Sequence, residues 1–153
     1  MLTSQLVFGQ TEQAYYAEVL KKFRIQDFPV VTKCEPANLS NSLKWGVLES
    51  LPEDLKSNIL RQFQESDQMI GSCHKYVTWS CGSPCQMMAV FKVDSGELVG
   101  TLNSSLGFLT ASNSRLIITN PPTKAKMNLA YRELVGPPGF YQLCEGKLIK
   151  IEE

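Results

Sequence analysis

The stretch Trp79-Ser80-Cys81-Gly82-Ser83-Pro84-Cys85-Gln86 places two cysteines in a run of turn residues between two apolar, strand-like segments. Gly, Ser and Pro are typical of tight turns, and each has a physical reason to be there. The stretch therefore predicts a β-hairpin whose tip contains both thiols. Two cysteines four positions apart can close a small disulfide, hold a metal ion or present a nucleophile, and the surrounding sequence has to decide among these uses.

The segments around this stretch have the composition of short β-strands. They are rich in β-branched and aromatic residues and are separated by turn residues such as Asp94-Ser95-Gly96 and Glu145-Gly146. The predicted strands are residues 76–79, 87–93, 97–102, 105–110, 115–119, 140–144 and 147–151. We expect them to form one antiparallel sheet, built largely as a meander.

The strand that follows the cysteine turn is apolar on both faces. Alternate side chains of a strand point to opposite faces of the sheet. One face carries Met87, Ala89, Phe91 and Val93, and the other carries Met88, Val90 and Lys92. Such a sheet has to be covered, and the helices predicted before it are the candidates for one side.

Two helices are predicted in the first half of the chain. The first covers residues 10–24, with Thr11 as its N-cap and apolar side chains recurring on one face. The second begins near Pro52, which suits a first helical position, and Glu53 and Asp54 suit the first turn. The apolar face of the second helix consists of Leu55, Ile59, Leu60 and Phe63.

Together these elements predict a single α+β domain over residues 1–153. Residues 1–70 form a mostly helical half and residues 71–153 a mostly β half. The N-terminal helices are expected to pack on the antiparallel sheet, and at least one disulfide is expected to support the domain. Residues 25–33 are expected to contain a short strand around Pro29.

The charge balance argues against a nucleic-acid partner. Fifteen Lys and Arg residues cancel fifteen Asp and Glu residues, so the chain has no global field that would hold a polyanion. No stretch approaches the roughly 20 apolar residues of a membrane span, and the N-terminus lacks the basic and apolar regions of a signal peptide. The protein is then either cytoplasmic or an exported protein whose signal peptide is absent from this sequence.

The cysteine content favours export to the periplasm or the extracellular space. Five cysteines are more than a cytosolic protein of this size usually carries, and an odd count leaves at least one of them unpaired within the chain. The disulfide candidates are Cys34, Cys73, Cys81, Cys85 and Cys144. A Cys81–Cys85 bond would stabilise the fold by about 2 kcal/mol and a Cys34–Cys144 bond by about 5 kcal/mol, but the sequence does not assign the pairing.

The cysteine motif and the segments after it resemble a largely uncharacterised family of small periplasmic or secreted bacterial proteins. That family carries a Trp-Gly-Cys-Gly-x-x-Cys-Gln motif. The matching residues here are Tyr76, the motif at 79–86, the turn Asp94-Ser95-Gly96, the run Ser114-Arg115-Leu116-Ile117-Ile118 and the strand and turn at 141–147. The chain departs from the family at Ser80, which is usually Gly, and in Ser72-Cys73-His74. The resemblance implies an exported α+β domain and supplies no reaction.

A zinc site and a cysteine nucleophile are the two chemical alternatives to a structural disulfide. Cys73, His74, Cys81 and Cys85 are ligand types that suit zinc, but only Cys81 and Cys85 have the spacing of a ligand pair. A cysteine nucleophile would need a base, and His74 is the only histidine in the chain. Gln86 or a backbone amide would then contact the oxyanion. No carboxylate pair, phosphate loop or nucleophile elbow is present, and the sequence predicts no cofactor.

The leading functional hypothesis is a non-enzymatic binding protein of the periplasm or the extracellular space. Its partner would be another protein, as for an inhibitor or an immunity-type protein. Aromatic and arginine side chains contribute much of the binding energy of interfaces, which makes Trp79, Gln86, Arg115 and Tyr141 the candidate contact residues. The alternative is a thiol-dependent hydrolase or redox enzyme that uses Cys81 or Cys85 with His74.

Overall fold

The structure is a computed structural model that describes residues 24–30, 39–71, 73–121 and 137–151. The helix predicted at 10–24, apart from its last residue, lies outside these ranges, and so does Cys34. Within the ranges the chain forms one α-helix, α1 (Glu53–Glu65), and two 3-10 turns, Ile25–Asp27 and Gly46–Leu48. The strands are β1 (Met69–Ile70), β2 (His74–Gly82), β3 (Cys85–Lys92), β4 (Leu98–Ser104), β5 (Phe108–Leu109), β6 (Leu116–Thr119), β7 (Gly139–Cys144) and β8 (Lys147–Lys150).

The strands form two antiparallel sheets, β1-β2-β3-β4 and β5-β6-β7-β8, each in chain order. The mixed α+β character and the meander connectivity are confirmed, whereas the prediction of one continuous sheet is wrong. The reason lies in the two apolar faces of β3. The helix covers the face that carries Ala89 and Phe91, and the second sheet covers the face that carries Met88 and Val90.

Helix α1 begins where the sequence predicts it, one residue after Pro52. Pro52 is the N-cap in extended conformation, so Glu53 is the first helical residue and lies with Asp54 in the first turn. Negative side chains stabilise this end of a helix through its dipole. Ile59 and Phe63 of the predicted apolar face are completely buried, because they point at the first sheet.

The buried Lys56 of α1 retains its charge through local partners. Its Nζ lies 3.1 Å from an oxygen of Glu49 and 3.4 Å from one of Glu53. The ammonium also lies 5.6 Å from the centre of the Trp45 ring. The hydrogen bond to Glu49 raises the pKa of Lys56 above its usual value, so this lysine ties the helix to the preceding loop as a cation.

Three apolar clusters stack through the molecule. Phe91 lies at the centre of the first cluster, between α1 and the first sheet, with its ring 5.9 Å from that of Phe63 and 6.3 Å from that of Trp45. The second cluster lies between the sheets and contains Ile70, Met88, Val90, Leu102, Ile117 and Leu143. The third cluster contains Leu116, Ile118 and Phe140 and is covered in part by Ile25 and Phe28.

Residues 24–30 attach to the second sheet as an irregular segment, and residues 31–33 of the predicted strand lie outside the described ranges. Only Pro29 forms a β-bridge there, opposite Ser114. The hydroxyl of Ser114 donates to the carbonyl oxygen of Ile25 at 2.7 Å, and Nε of Arg115 donates to that of Pro29 at 2.9 Å. These bonds hold Ile25 and Phe28 over the outer face of the second sheet.

Candidate binding surface at the hairpin tip

Strands β2 and β3 pair along their whole length and meet at the cysteine turn. The register runs from His74 opposite Lys92 to Ser80 opposite Gln86, with a shift before Gly82 pairs with Cys85. Gly82 has φ +115°, a conformation that glycine adopts far more readily than other residues. The predicted hairpin is therefore present.

A disulfide between Cys81 and Cys85 closes the hairpin, with the two Cα atoms 5.0 Å apart. The sequence left three uses open for these thiols: a disulfide, a metal site and a nucleophile. In the structure they form the disulfide. Cys73 is also disulfide-bonded. Cys144 is a free thiol, so its selection as a disulfide candidate was wrong: it ends β7 opposite Lys147, away from the cysteine turn.

The hairpin ends in a surface that is exposed and uncharged. Residues 80–84 and Gln86 are exposed, whereas Cys85, Trp79 and Met87 are half-buried. We call residues 79–87 the tip surface. The sequence has no charged side chain between Lys75 and Lys92, so contacts at the tip surface depend on shape, apolar area and neutral hydrogen bonds.

Trp79 and Met87 form the apolar part of the tip surface. They are directly opposite each other in the ladder, and such cross-strand neighbours share one face of a sheet. Trp79 also packs against the cluster beneath α1, which restricts its ring without burying it fully. Gln86 lies on the opposite face, because neighbouring residues of a strand alternate.

The other two predicted contact residues lie in the second sheet. Besides its bond to Pro29, Arg115 donates from Nη1 to the carbonyl oxygen of Leu143 at 3.3 Å. It therefore joins residues 24–30 to two strands. Tyr141 packs in the cluster between the sheets. The structure brings Trp79 and Gln86 into one hairpin tip, and it assigns Arg115 and Tyr141 structural contacts elsewhere.

His74 lies at the base of the hairpin, far from both cysteines of the tip. Cys81 is seven positions further along the same strand, which corresponds to roughly 23 Å at about 3.3 Å per residue. At this distance His74 cannot act as a base for Cys81 or Cys85, which are also joined in a disulfide.

The imidazole of His74 is partly buried at the base of the hairpin. Nε2 is buried and has no hydrogen-bond partner. Burial lowers the pKa of His74, the neighbouring Lys92 lowers it further, and Asp94 acts in the opposite direction. The imidazole is neutral at neutral pH, and the periodicity of β2 contained no signal of this burial.

The described part of the chain has neither a metal-binding cluster nor a helix that could span a membrane. No group of three or more His, Cys, Asp or Glu side chains gathers there in a way that could hold a metal ion. None of the helices in that part has the length and apolar character required to cross a bilayer.

Comparison with known proteins identifies no relative. The chain matches no family model, and no curated protein or solved structure matches it either. Function has to be inferred from the geometry of the tip surface and from the state of the cysteines.

Proposed function

We propose that this protein is a non-enzymatic binding protein of the periplasm or the extracellular space, and that its tip surface contacts another protein. The observation that supports the proposal is the use of the cysteines. The residues most suited to chemistry, Cys81 and Cys85, brace an exposed and uncharged hairpin tip. A braced loop on a rigid sheet is a common way to present a binding surface.

The crosslink reduces the entropy that binding costs. A loop that is already held in one conformation loses less freedom when a partner docks on it. The tip surface is held by the disulfide at its end and by the β2–β3 ladder behind it. Trp79 adds a large side chain whose ring is fixed from below, which is the kind of residue that dominates binding energy.

The oxidised cysteines also support the proposed location. Disulfides persist in oxidising compartments and are rare in the cytosol. Cys73, Cys81 and Cys85 are all disulfide-bonded. We infer that the protein acts outside the cytoplasm as an inhibitor or immunity-type partner, because such proteins present a rigid loop to their target.

Site-specific photocrosslinking in the producing cell tests the contact surface. A photoreactive phenylalanine derivative replaces Gln86 in one variant and Gln64 in a matched control, since Gln64 is an exposed glutamine on α1. We expect a discrete protein adduct from position 86 and none from position 64. Equal adducts from both positions, or none from position 86, would contradict the proposal.

Two substitutions then measure the contribution of the tip surface to binding of the crosslinked partner. Trp79→Ala removes the anchor, and Gln86→Lys places a charge on the neutral surface. We expect each to weaken binding at least about tenfold, which corresponds to about 1.4 kcal/mol. Circular dichroism verifies that both variants are folded, and undiminished binding by both folded variants would rule out this surface.

A further inference from the structure

The outer edge of β2 is covered over only part of its length. Strand β1 has two residues, and they pair with His74 and Lys75. Just beyond them, the amide of Tyr76 donates to the carbonyl oxygen of Gln68 at 3.1 Å. From there to Gly82, no strand of the described ranges pairs with the edge of β2 that faces away from β3. An open edge of this kind is a template for pairing with another strand.

The side chain of Gln62 occupies this edge at Thr78. Its Nε2 donates to the carbonyl oxygen of Thr78 at 3.1 Å, and its Oε1 accepts from the amide of Thr78 at 3.4 Å. A residue of a neighbouring strand would make the same pair of bonds. A carboxamide has the same donor and acceptor groups as a peptide unit, so Gln62 replaces one residue of a missing strand.

The other edge strands are protected differently. β5 has two residues, and β8 has Lys147 and Lys150 at its ends. β4 lies against β8, where a Cβ on Gly100 would meet the side chain of Leu148 at 2.9 Å. Short length, lysines and cover by other elements are the usual devices against edge pairing. Residues 77–82 contain neither a charge nor a proline and are longer than β1 or β5, so within the described ranges the cover on this edge is the side chain of Gln62.

We propose that Gln62 keeps the β2 edge closed, and that its removal lets this edge pair antiparallel with the same edge of a second copy of the chain. Antiparallel pairing of identical edges is self-complementary about a two-fold axis, so each copy supplies both Thr78 and Ser80. Ser80 and Gly82 are already exposed and extend the edge beyond Gln62. The inference concerns the isolated protein and does not depend on a partner at the tip surface.

Replacement of Gln62 by methionine tests the proposal. Methionine has nearly the same length and favours helix, but it cannot make either bond to Thr78. Gln64→Met is the matched control, because the Gln64 amide contacts the carbonyl oxygen of Asn41 at 3.4 Å and not the β2 edge. Analytical ultracentrifugation over a wide range of concentration should show at least about a tenfold stronger dimerisation for Gln62→Met than for the control.

A second substitution determines whether the dimer uses this edge. The amides of Tyr76 and Thr78 point outward, so the alternation places the amide of Ser80 outward as well. Ser80→Pro removes that donor without removing a β2–β3 bond, since proline is tolerated on an outer edge. We expect Gln62→Met combined with Ser80→Pro to return to the association of the control.

Three results would overturn the proposal. The first is a folded Gln62→Met variant that dimerises no more than Gln64→Met. The second is a dimer that persists unchanged when Ser80→Pro is added. If the methionine variant does not fold, the test uses Gln62→Ala, and Gln64→Ala is its control. The third result is that these two folded alanine variants associate equally.

Discussion

The base and the tip of the β2–β3 hairpin are stabilised in different ways. At the base, His74 and Lys92 are paired at the end of the sheet, and the neighbouring Phe91 is completely buried beneath α1. At the tip, residues 80–84 are exposed and a disulfide joins the two strands. One end of the hairpin depends on apolar burial, and the other depends on a covalent bond.

This difference indicates that the short disulfide stabilises a part of the hairpin that has little apolar burial. Full burial of a side chain such as Phe contributes about 1.5–3 kcal/mol, and the exposed residues 80–84 bury no such side chain. Closure of a five-residue loop contributes about 2 kcal/mol in the chain-entropy model. The crosslink therefore offsets part of the missing core and leaves the surface of the tip free for contact.

The largest expected effect is at the base. Phe91→Ala removes a ring that is 0% exposed and packs edge-on against Trp45 and Phe63. We expect the free energy of unfolding to fall by about 3–5 kcal/mol, measured by urea denaturation. Gln86→Ala at the tip is the control, with an expected change below about 0.5 kcal/mol. Similar losses for both variants would remove the distinction between base and tip.

A smaller effect is expected from the tip itself. Replacement of both Cys81 and Cys85 by serine should lower the free energy of unfolding by about 2 kcal/mol, because the unfolded chain regains loop entropy. Cys144→Ser, at a free thiol, is the matched control and should cost less. Alkylation of the denatured, unreduced wild type should label Cys144 and leave Cys81 and Cys85 unlabelled. Labelling of the tip cysteines would show that the crosslink is not formed.

The smallest effect concerns the pH dependence of the base. The pKa of His74 is lowered in the folded state, so the unfolded chain binds more protons near the ordinary histidine pKa of about 6.5. Neutral His74 makes its full contribution to the free energy of unfolding above about pH 6.5. This contribution decreases as the pH falls from there toward the pKa of His74 in the folded protein. Urea denaturation should show this fall in the wild type, and His74→Gln should lack it. Parallel pH profiles would mean that the environment of His74 does not favour its neutral form.

Local sequence patterns predicted the secondary structure of the described residues well. The turn Asp94-Ser95-Gly96 is an example, because Gly96 has φ +69° and a Cβ there would collide with the carbonyl oxygen of Ser42. The separation of the strands into two sheets was not predicted. This separation depends on which distant element covers each apolar face of a strand. The alternation of side chains shows that a face is apolar, but it does not identify the element that covers that face.

The candidate site was predicted in part for the same reason. Trp79 and Gln86 were predicted to lie together because they flank the cysteine turn, which is a local signal, and both lie at the hairpin tip. Arg115 and Tyr141 were chosen by residue type alone, and the structure gives them packing and carbonyl contacts within the fold. Gln62 was missed because its role depends on Thr78, a residue 16 positions away on another element.

The attachment of residues 24–30 to the second sheet has a consequence for synthesis of the chain. The hydrogen bond from Arg115 to Pro29 joins residues 86 positions apart. At about 5–20 residues per second, a ribosome takes roughly 4–17 s to make the chain between them. For that time Ile25 and Phe28 have been synthesised but the strand that they cover has not. Ile25 and Phe28 therefore lack their native apolar contacts until β6 has been synthesised.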